Sequence, residues 1–211
     1  MNARKLVVEA VCIGSALLAA PAASAAVVPG YIASPNWSGY VVGAKGISMD
    51  QVSGQWTVPA ASCATKATAF SKAAVWVGLG SSTAIEQIGA DTNCDTAKQK
   101  AAFGNAWWEL YPSPSQAIHQ RVSPGDKMRA AVSVTGLKVT LTLTDVTEHW
   151  SFVKRAHAHA VDQSSAEWIV EDPALNCCQP FPLASFAPVS FTHARARSTS
   201  ARTGTISSSP W

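Results

Sequence analysis

Between Met128 and Thr144 apolar and polar residues alternate with a period of two. Met128, Ala130, Val132 and Val134 interleave with Arg129, Ala131 and Ser133; Val139, Leu141 and Leu143 interleave with Lys138, Thr140, Thr142 and Thr144. Successive side chains on a strand point to opposite faces, so the pattern predicts two half-buried strands. Gly136 stands between them and predicts an antiparallel hairpin. Further strands are predicted over residues 37–42, 52–58, 74–78, 106–111, 167–171 and 188–192. Turn-forming clusters such as Ser123-Pro124-Gly125-Asp126 and Tyr111-Pro112-Ser113-Pro114 fall between them. Beyond the first segment no long stretch carries a helical period. Short strands with frequent turns predict an all-β fold, an antiparallel β-sandwich or jelly-roll of two large sheets.

The N-terminal segment follows a different pattern. Arg4 and Lys5 precede an apolar run over residues 6–20, interrupted at Glu9, and Ala23-Ser24-Ala25 supplies a small-x-small cleavage site. The run is shorter than the ~20 apolar residues a membrane span needs. It predicts a signal peptide over residues 1–25, a short N-terminal extension or propeptide remnant over 26–33, and one sandwich over 34–211. A secreted, extracellular protein is expected. Cleavage removes Cys12 and leaves Cys63, Cys94, Cys177 and Cys178, enough for two disulfides. Cys63 and Cys94 are expected to pair, because they bracket one hairpin-like excursion. Cys177 and Cys178 are adjacent, and joining them to each other would strain the bridge.

Composition narrows the partners. Of 211 residues, 47% are hydrophobic and 14% charged, and the net charge is only +3, too small to make nucleic acid or an anionic membrane the main partner. Arg195, Arg197 and Arg202 lie in a Ser/Thr/Ala-rich stretch without interleaved aromatics and read as a solvated end. Eight tryptophans offer flat apolar surface for a core, a cleft, or both. The common catalytic motifs are missing. There is no G-x-S-x-G elbow and no P-loop, and Gly78-Leu79-Gly80-Ser81-Ser82-Thr83 departs from the dinucleotide fingerprint at its last glycine. His157 and His159 would share a strand face, but no third ligand stands at a metal-binding spacing, so they read as exposed loop histidines. No metal or cofactor is implied. A polar site here must be built from carboxylates, amides and aromatic rings.

Several segments in order resemble one family. They are Asn36-Trp37-Ser38-Gly39-Tyr40, Gln55-Trp56-Thr57-Val58-Pro59, Val75-Trp76-Val77-Gly78-Leu79, Glu86-Gln87-Ile88-Gly89-Ala90-Asp91 and Ala106-Trp107-Trp108-Glu109-Leu110-Tyr111-Pro112. Ala166-Glu167-Trp168-Ile169-Val170-Glu171-Asp172 comes next, trailed by Pro182-Leu183-Ala184-Ser185-Phe186. Together they resemble the glutamic peptidases, or eqolisins, acid endopeptidases of the scytalidoglutamic-peptidase type. The resemblance implies a sandwich of two large antiparallel sheets, protein or peptide substrates and a secreted monomer. It places the catalytic glutamine on Gln87 and the catalytic glutamate on Glu171, with Trp37, Trp76, Asp91 and Glu109 lining or supporting the cleft. Two features depart from the family pattern. Gly80 and Ser81 stand where members carry an Asp, and the chain ends at Trp211 soon after Gly204-Thr205-Ile206-Ser207, so C-terminal strands are expected to be lacking or rebuilt.

The chemistry fits these residue types. Peptide hydrolysis needs a proton carrier for the attacking water and a donor for the oxyanion. A glutamate can serve as base and then acid, and a glutamine amide can donate without changing charge. Strand alternation puts Glu167, Ile169 and Glu171 on one face and Trp168 and Val170 on the other, and projects Trp107, Glu109 and Tyr111 together. Pattern alone does not prefer Gln87 over Glu86, and it leaves Asp91 and Glu109 as hydrogen-bonded support. Three other readings stand beside the endopeptidase: a carbohydrate-binding or lectin-like sandwich, a jelly-roll glycoside hydrolase using Glu109 and Glu171, and an inactive peptidase homologue.

Overall fold

A computed structural model of the chain describes residues 33–62, 70–95, 100–176, 179–198 and 204–205. The chain divides into two units, Met1–Ala33 and Ser34–Trp211, and the described strands all belong to the second. They are β1 (Trp37–Gly43), β2 (Met49–Thr57), β3 (Ala61–Ser62), β4 (Phe70–Gly80), β5 (Ile85–Asp95), β6 (Lys100–Tyr111), β7 (Gln116–Val122) and β8 (Lys127–Thr135). They continue with β9 (Lys138–Asp145), β10 (Trp150–His157), β11 (Ser165–Glu171), β12 (Ala174–Asn176), β13 (Gln179–Pro180), β14 (Ser185–Phe186), β15 (Thr192–Ser198) and β16 (Gly204–Thr205).

The fold is all-β. One six-stranded sheet has the order β1-β11-β4-β5-β6-β7, and a second has the order β10-β9-β8-β2-β15-β16. The strands pair antiparallel in both. Alternation decides which side chains lie between the sheets. Val75, Val77, Leu79, Ile88, Ala90 and Trp168 from the first sheet meet Val52, Trp56, Val132, Val139, Leu141 and Leu143 from the second in one buried cluster. Trp168 also ties the layers together, its indole N–H donating to the Ser53 carbonyl at 2.9 Å. Removing so large a buried ring typically costs ~3–5 kcal/mol.

The expected hairpin is β8–β9, with Thr135 opposite Lys138. Its two-residue turn needs a left-handed residue, which Gly136 supplies at φ 57. The other expected strands form, except one, and begin at or before the expected residue; the strand expected over 52–58 runs Met49–Thr57 and stops one residue short. Residues 187–191 are irregular, and the strand there is Thr192–Ser198. Pro188 has no N–H to give a ladder, which explains the late start. The same strand corrects the reading of Arg195 and Arg197 as a solvated end. Both sit in β15, paired with β2, and Arg197 Nε reaches Asp50 Oδ1 at 3.2 Å. Arg202 lies outside the described residues. His157 closes β10 and His159 comes after it in a loop, both exposed. Cys94 is fully buried and disulfide-bonded. Cys63, its expected partner, lies outside the described residues, as do Cys177 and Cys178.

Candidate active site

The outer face of the first sheet carries the candidate residues, and the strand registers say how. Residues directly opposite one another in an antiparallel pair share a face. One rung across the sheet is Trp37, Glu171, Ala74 and Asp91. Two residues along, the next is Gly39, Ile169, Trp76, Gly89 and Trp107. The third is Val41, Glu167, Gly78, Gln87 and Glu109. All three rungs face away from the second sheet. They enclose a small apolar cluster of Ala74, Trp76 and Ile169, against which Trp37, Val41, Ile85 and Trp107 pack. Every residue expected at the site from sequence, Trp37, Trp76, Gln87, Asp91, Glu109 and Glu171, is on this face.

Each polar group has a defined neighbour. The Trp76 indole N–H donates to Glu171 Oε2 at 2.8 Å, and Asn36 Nδ2 donates to Glu171 Oε1 at 3.2 Å. Gln87 Nε2 donates to Glu109 Oε2 at 2.5 Å, while Gln87 Oε1 is buried without a partner. Lys72 Nζ pairs with Asp91 Oδ2 at 3.4 Å. Glu167 Oε1 lies within hydrogen-bonding distance of Ser165 Oγ, at 2.8 Å. Gln87 is 6% exposed and Trp76 3%, so the floor of the face is nearly dry although the face itself lies outside the core.

Burial and crowding make these carboxyls hold their protons. Glu171 is pushed up to about 7, first by burial, against the Trp76 hydrogen bond, with the charges of Glu109, Asp172 and Glu167 adding to the rise. Glu109 is raised by burial, which outweighs the Gln87 bond. Glu167 is raised by burial in spite of Ser165. Asp91 is raised by burial, opposed by the Lys72 charge.

The stretch without the expected Asp is tied to another loop. Asp162, between β10 and β11, accepts hydrogen bonds through Oδ2 from Ser81 Oγ and from Thr83 Oγ1, the latter at 3.3 Å. Ser165 Oγ donates to the Gly80 carbonyl nearby. Sequence reasoning gave no role to Asn36, Gly78 or Asp162. Asn36 stood inside a recognised segment, but only its position beside Glu171 shows what it touches.

The outer face thus joins one glutamine, a glutamate with a raised pKa and two tryptophans. The model of the peptidase A4 family matches residues 35–210. The chain belongs to the peptidase A4 family. Among curated proteins compared by sequence, none matches. Among solved structures the chain is similar to scytalido-glutamic peptidase bound to a transition-state analogue inhibitor, with 27% identity, a TM-score of 0.67, and coverage of 81% of this chain and 83% of that one. It is also similar to SCP-B, a member of the eqolisin family solved with the tripeptide Ala-Ile-His, with 25% identity, a TM-score of 0.61 and coverage of 80% and 82%. The A4 chain is therefore a hydrolase of the glutamic endopeptidase type, and its substrates are peptides. Among its described residues, no helix is long and apolar enough to cross a membrane.

Proposed function

We propose that this A4 peptidase is a secreted acid endopeptidase in which Gln87 and Glu171 carry the chemistry. The observation behind the reading is the pair's shared outer face. Gln87 has one amide hydrogen fixed by Glu109 and a free buried carbonyl oxygen, and Glu171 is a buried carboxyl with pKa about 7. Fixing Gln87 Nε2 on Glu109 sets the orientation of the amide. Its second hydrogen is then available to the oxygen of a scissile carbonyl, where negative charge develops as water attacks. Glu171 carries the proton. Its unprotonated oxygen takes one from the attacking water, and its protonated oxygen hands one to the leaving nitrogen. The peptide C–N bond breaks as the C–O bond to water persists, giving one carboxyl and one amine, and Glu171 ends as it began.

Burial keeps Glu171 protonated through the acidic range. Breakdown of the tetrahedral intermediate needs a protonated amine leaving group, so the acid form favours that half of the reaction. In this form the carboxyl can give its proton through one oxygen while the other takes the water's. An acidic working range follows from that bias. Trp37 and Trp107, both partly exposed, supply the apolar surface against which a peptide lies over the buried Trp76, and Asp91 holds Lys72 at the margin. Export rests on the Arg4-Lys5 start, the apolar run and Ala23-Ser24-Ala25, with the secreted chain beginning near Ala26 as a monomer.

The test is digestion of denatured casein across acidic and neutral pH by the wild-type protein, Gln87→Ala and Glu171→Gln. Loss of the oxyanion donor typically costs ~10²–10³-fold, and loss of the proton carrier ~10²–10⁴-fold. Both variants should keep the wild-type circular dichroism spectrum. Wild-type rates from either folded variant would overturn the assignment. A glycoside hydrolase would instead depend on Glu109 and Glu171, ignore casein and tolerate Gln87→Ala.

A further inference from the structure

Glu171 is held at both oxygens, and the two holders differ in kind. Trp76 Nε1 sits on the sheet, one rung away on β4, where packing against Ala74 and Ile169 fixes its ring. Asn36 stands just before β1, beyond the last rung of the sheet. Its backbone carbonyl accepts from Asp172 N at 2.7 Å, which extends the β1–β11 ladder past Trp37 and Glu171. Ser34 finishes the arrangement. Ser34 Oγ donates to Asn36 Oδ1 at 3.2 Å, and the Asn36 backbone N–H donates to Ser34 Oγ at 3.4 Å. A side-chain amide can be rotated by half a turn at little steric cost, so its direction must be set by its partners. With Oδ1 engaged by a hydroxyl donor, Nδ2 is the end that faces Glu171, 3.2 Å from Oε1.

We infer that Asn36 is a positioning residue for Glu171, its amide oriented by Ser34 so that, with Trp76, it fixes the plane in which the Glu171 carboxyl presents its free lone pairs to water and substrate. The inference rests on Glu171 being the proton carrier. Asn36 is assigned no proton transfer and no substrate contact of its own and acts only through the Glu171 carboxyl it holds. Two hydrogen-bond donors, one per oxygen, leave the carboxyl with a single orientation, whereas Trp76 alone would leave it free to swing about one bond. Each donor also favours the ionised form, so losing Asn36 should make Glu171 hold its proton more tightly.

The experiment is a set of variants, Asn36→Ala, Asn36→Asp and Ser34→Ala, beside Glu171→Gln. Two measurements are made on each: steady-state kinetics on a peptide substrate, and the titration of the Glu171 side-chain carboxyl followed by carbon NMR of glutamate-labelled protein. Asn36→Ala should lower kcat by up to roughly tenfold with KM little changed, the size expected for the loss of one ordinary hydrogen bond to the carboxyl. The same variant should move the Glu171 titration to higher pH. Asn36→Asp keeps the shape of the side chain and the strand contact but adds a like charge, and should move it further. Ser34→Ala keeps the donor and loses only its orientation, giving a smaller change in the same direction. An unmoved Glu171 titration together with an unchanged kcat in folded Asn36→Ala or Asn36→Asp would overturn the inference. Failure of the catalytic reading looks different. Glu171→Gln would then retain activity, while the titration in Asn36→Ala would still shift.

Discussion

Gly78 and Gln87 face each other across β4 and β5, and a Cβ built on Gly78 would lie 3.2 Å from Gln87 Cβ and 3.0 Å from Trp76 Cζ3. The absent side chain keeps the floor of the face open between Glu167 on β11 and Gln87 on β5. Gly78→Ala should be accommodated by shifts of a few tenths of an ångström. Gly78→Val puts methyl groups where the peptide and the Gln87 amide must lie. Displacing a catalytic group by about 1 Å can cost ~10²-fold, so kcat/KM on a peptide substrate should fall on that order for valine and less for alanine. The core lies on the other face, so circular dichroism and the unfolding midpoint should change little. Full activity in folded Gly78→Val would show that the floor is not part of the substrate path.

Glu109 has two separable effects on the pair. It accepts the Gln87 amide hydrogen, and its charge helps to raise Glu171. Glu109→Gln retains an accepting oxygen and removes the charge; Glu109→Ala removes both. If protonated Glu171 is the working form, activity falls as pH rises through its pKa, near 7 in the unliganded protein. Neutralising Glu109 lowers that pKa, so the falling limb of kcat/KM should move to lower pH in Glu109→Gln while the acid-side rate is largely kept. Glu109→Ala should lose rate at every pH, because Gln87 is no longer anchored. A falling limb that stays in place in Glu109→Gln would rule out the electrostatic link between the two carboxyls.

The sandwich was legible in the sequence wherever one face of a strand is buried and the other is wet. Residues 138–144 alternate without interruption and residues 128–134 with Ala131 as the one break, and their strands form where the alternation lies. The choice between Glu86 and Gln87 was not legible, because period-two alternation says only that they point in opposite directions. The register resolves it: Gln87 shares its rung with Glu109 and Gly78, while Glu86 lies between Leu79 and Leu110 on the core side. Asn36 and Asp162 escaped for a different reason. Each acts on a residue far along the chain, Glu171 and Ser81, and no local spacing records such a pairing. The Arg195 and Arg197 stretch looked solvated because a strand with one exposed face has a polar composition close to that of a tail.

Asp162 joins the loop before β11 to the turn after β4 by accepting from Ser81 and Thr83. Burial works against its charge, but the Ser81, Ser164 and Thr83 hydrogen bonds more than offset this and hold its pKa below the usual 3.8. A depressed folded pKa contributes stability that is present above the unfolded value and lost as pH falls through the folded one. Asp162→Ala should therefore lower stability at neutral pH, by roughly 1 kcal/mol for hydrogen bonds at a partly exposed site. The difference from wild type should shrink in strong acid. Urea unfolding of both proteins at two pH values measures it. An equal difference at both would mean that the carboxylate form of Asp162 is not what holds the loop.

Glu86 should make the whole fold prefer acid. Its side chain is 0% exposed, and neither carboxyl oxygen finds a partner beyond the residue's own backbone. Leu79 and Leu110 flank it in the sheet, and Val132, Val134, Val139 and Leu141 line the opposing layer of the same core. Asp162 is the charged group acting on it, and its like sign is unfavourable. Burial raises Glu86 from 4.5 to about 8, its own backbone amide opposing and Asp162 adding to the rise. Linkage sets the sign. A carboxyl with a folded pKa above its unfolded value is neutral in the folded protein through the acidic range, and its contribution is complete below the unfolded value. Between about 4.5 and 8 the unfolded chain ionises while the folded one cannot do so cheaply, so stability drains away as pH rises. Each unit of difference corresponds to ~1.4 kcal/mol, which makes the loss a few kcal/mol at the upper end. Glu86→Leu removes the ionisable group and fits the leucines on either side. It should be at least as stable as wild type in acid and increasingly more stable as pH rises, with a flatter curve of unfolding midpoint against pH. Glu86→Gln removes the charge but leaves a buried amide short of partners, and should gain less. Parallel pH curves for wild type and Glu86→Leu would show that Glu86 does not set the acid preference of the fold.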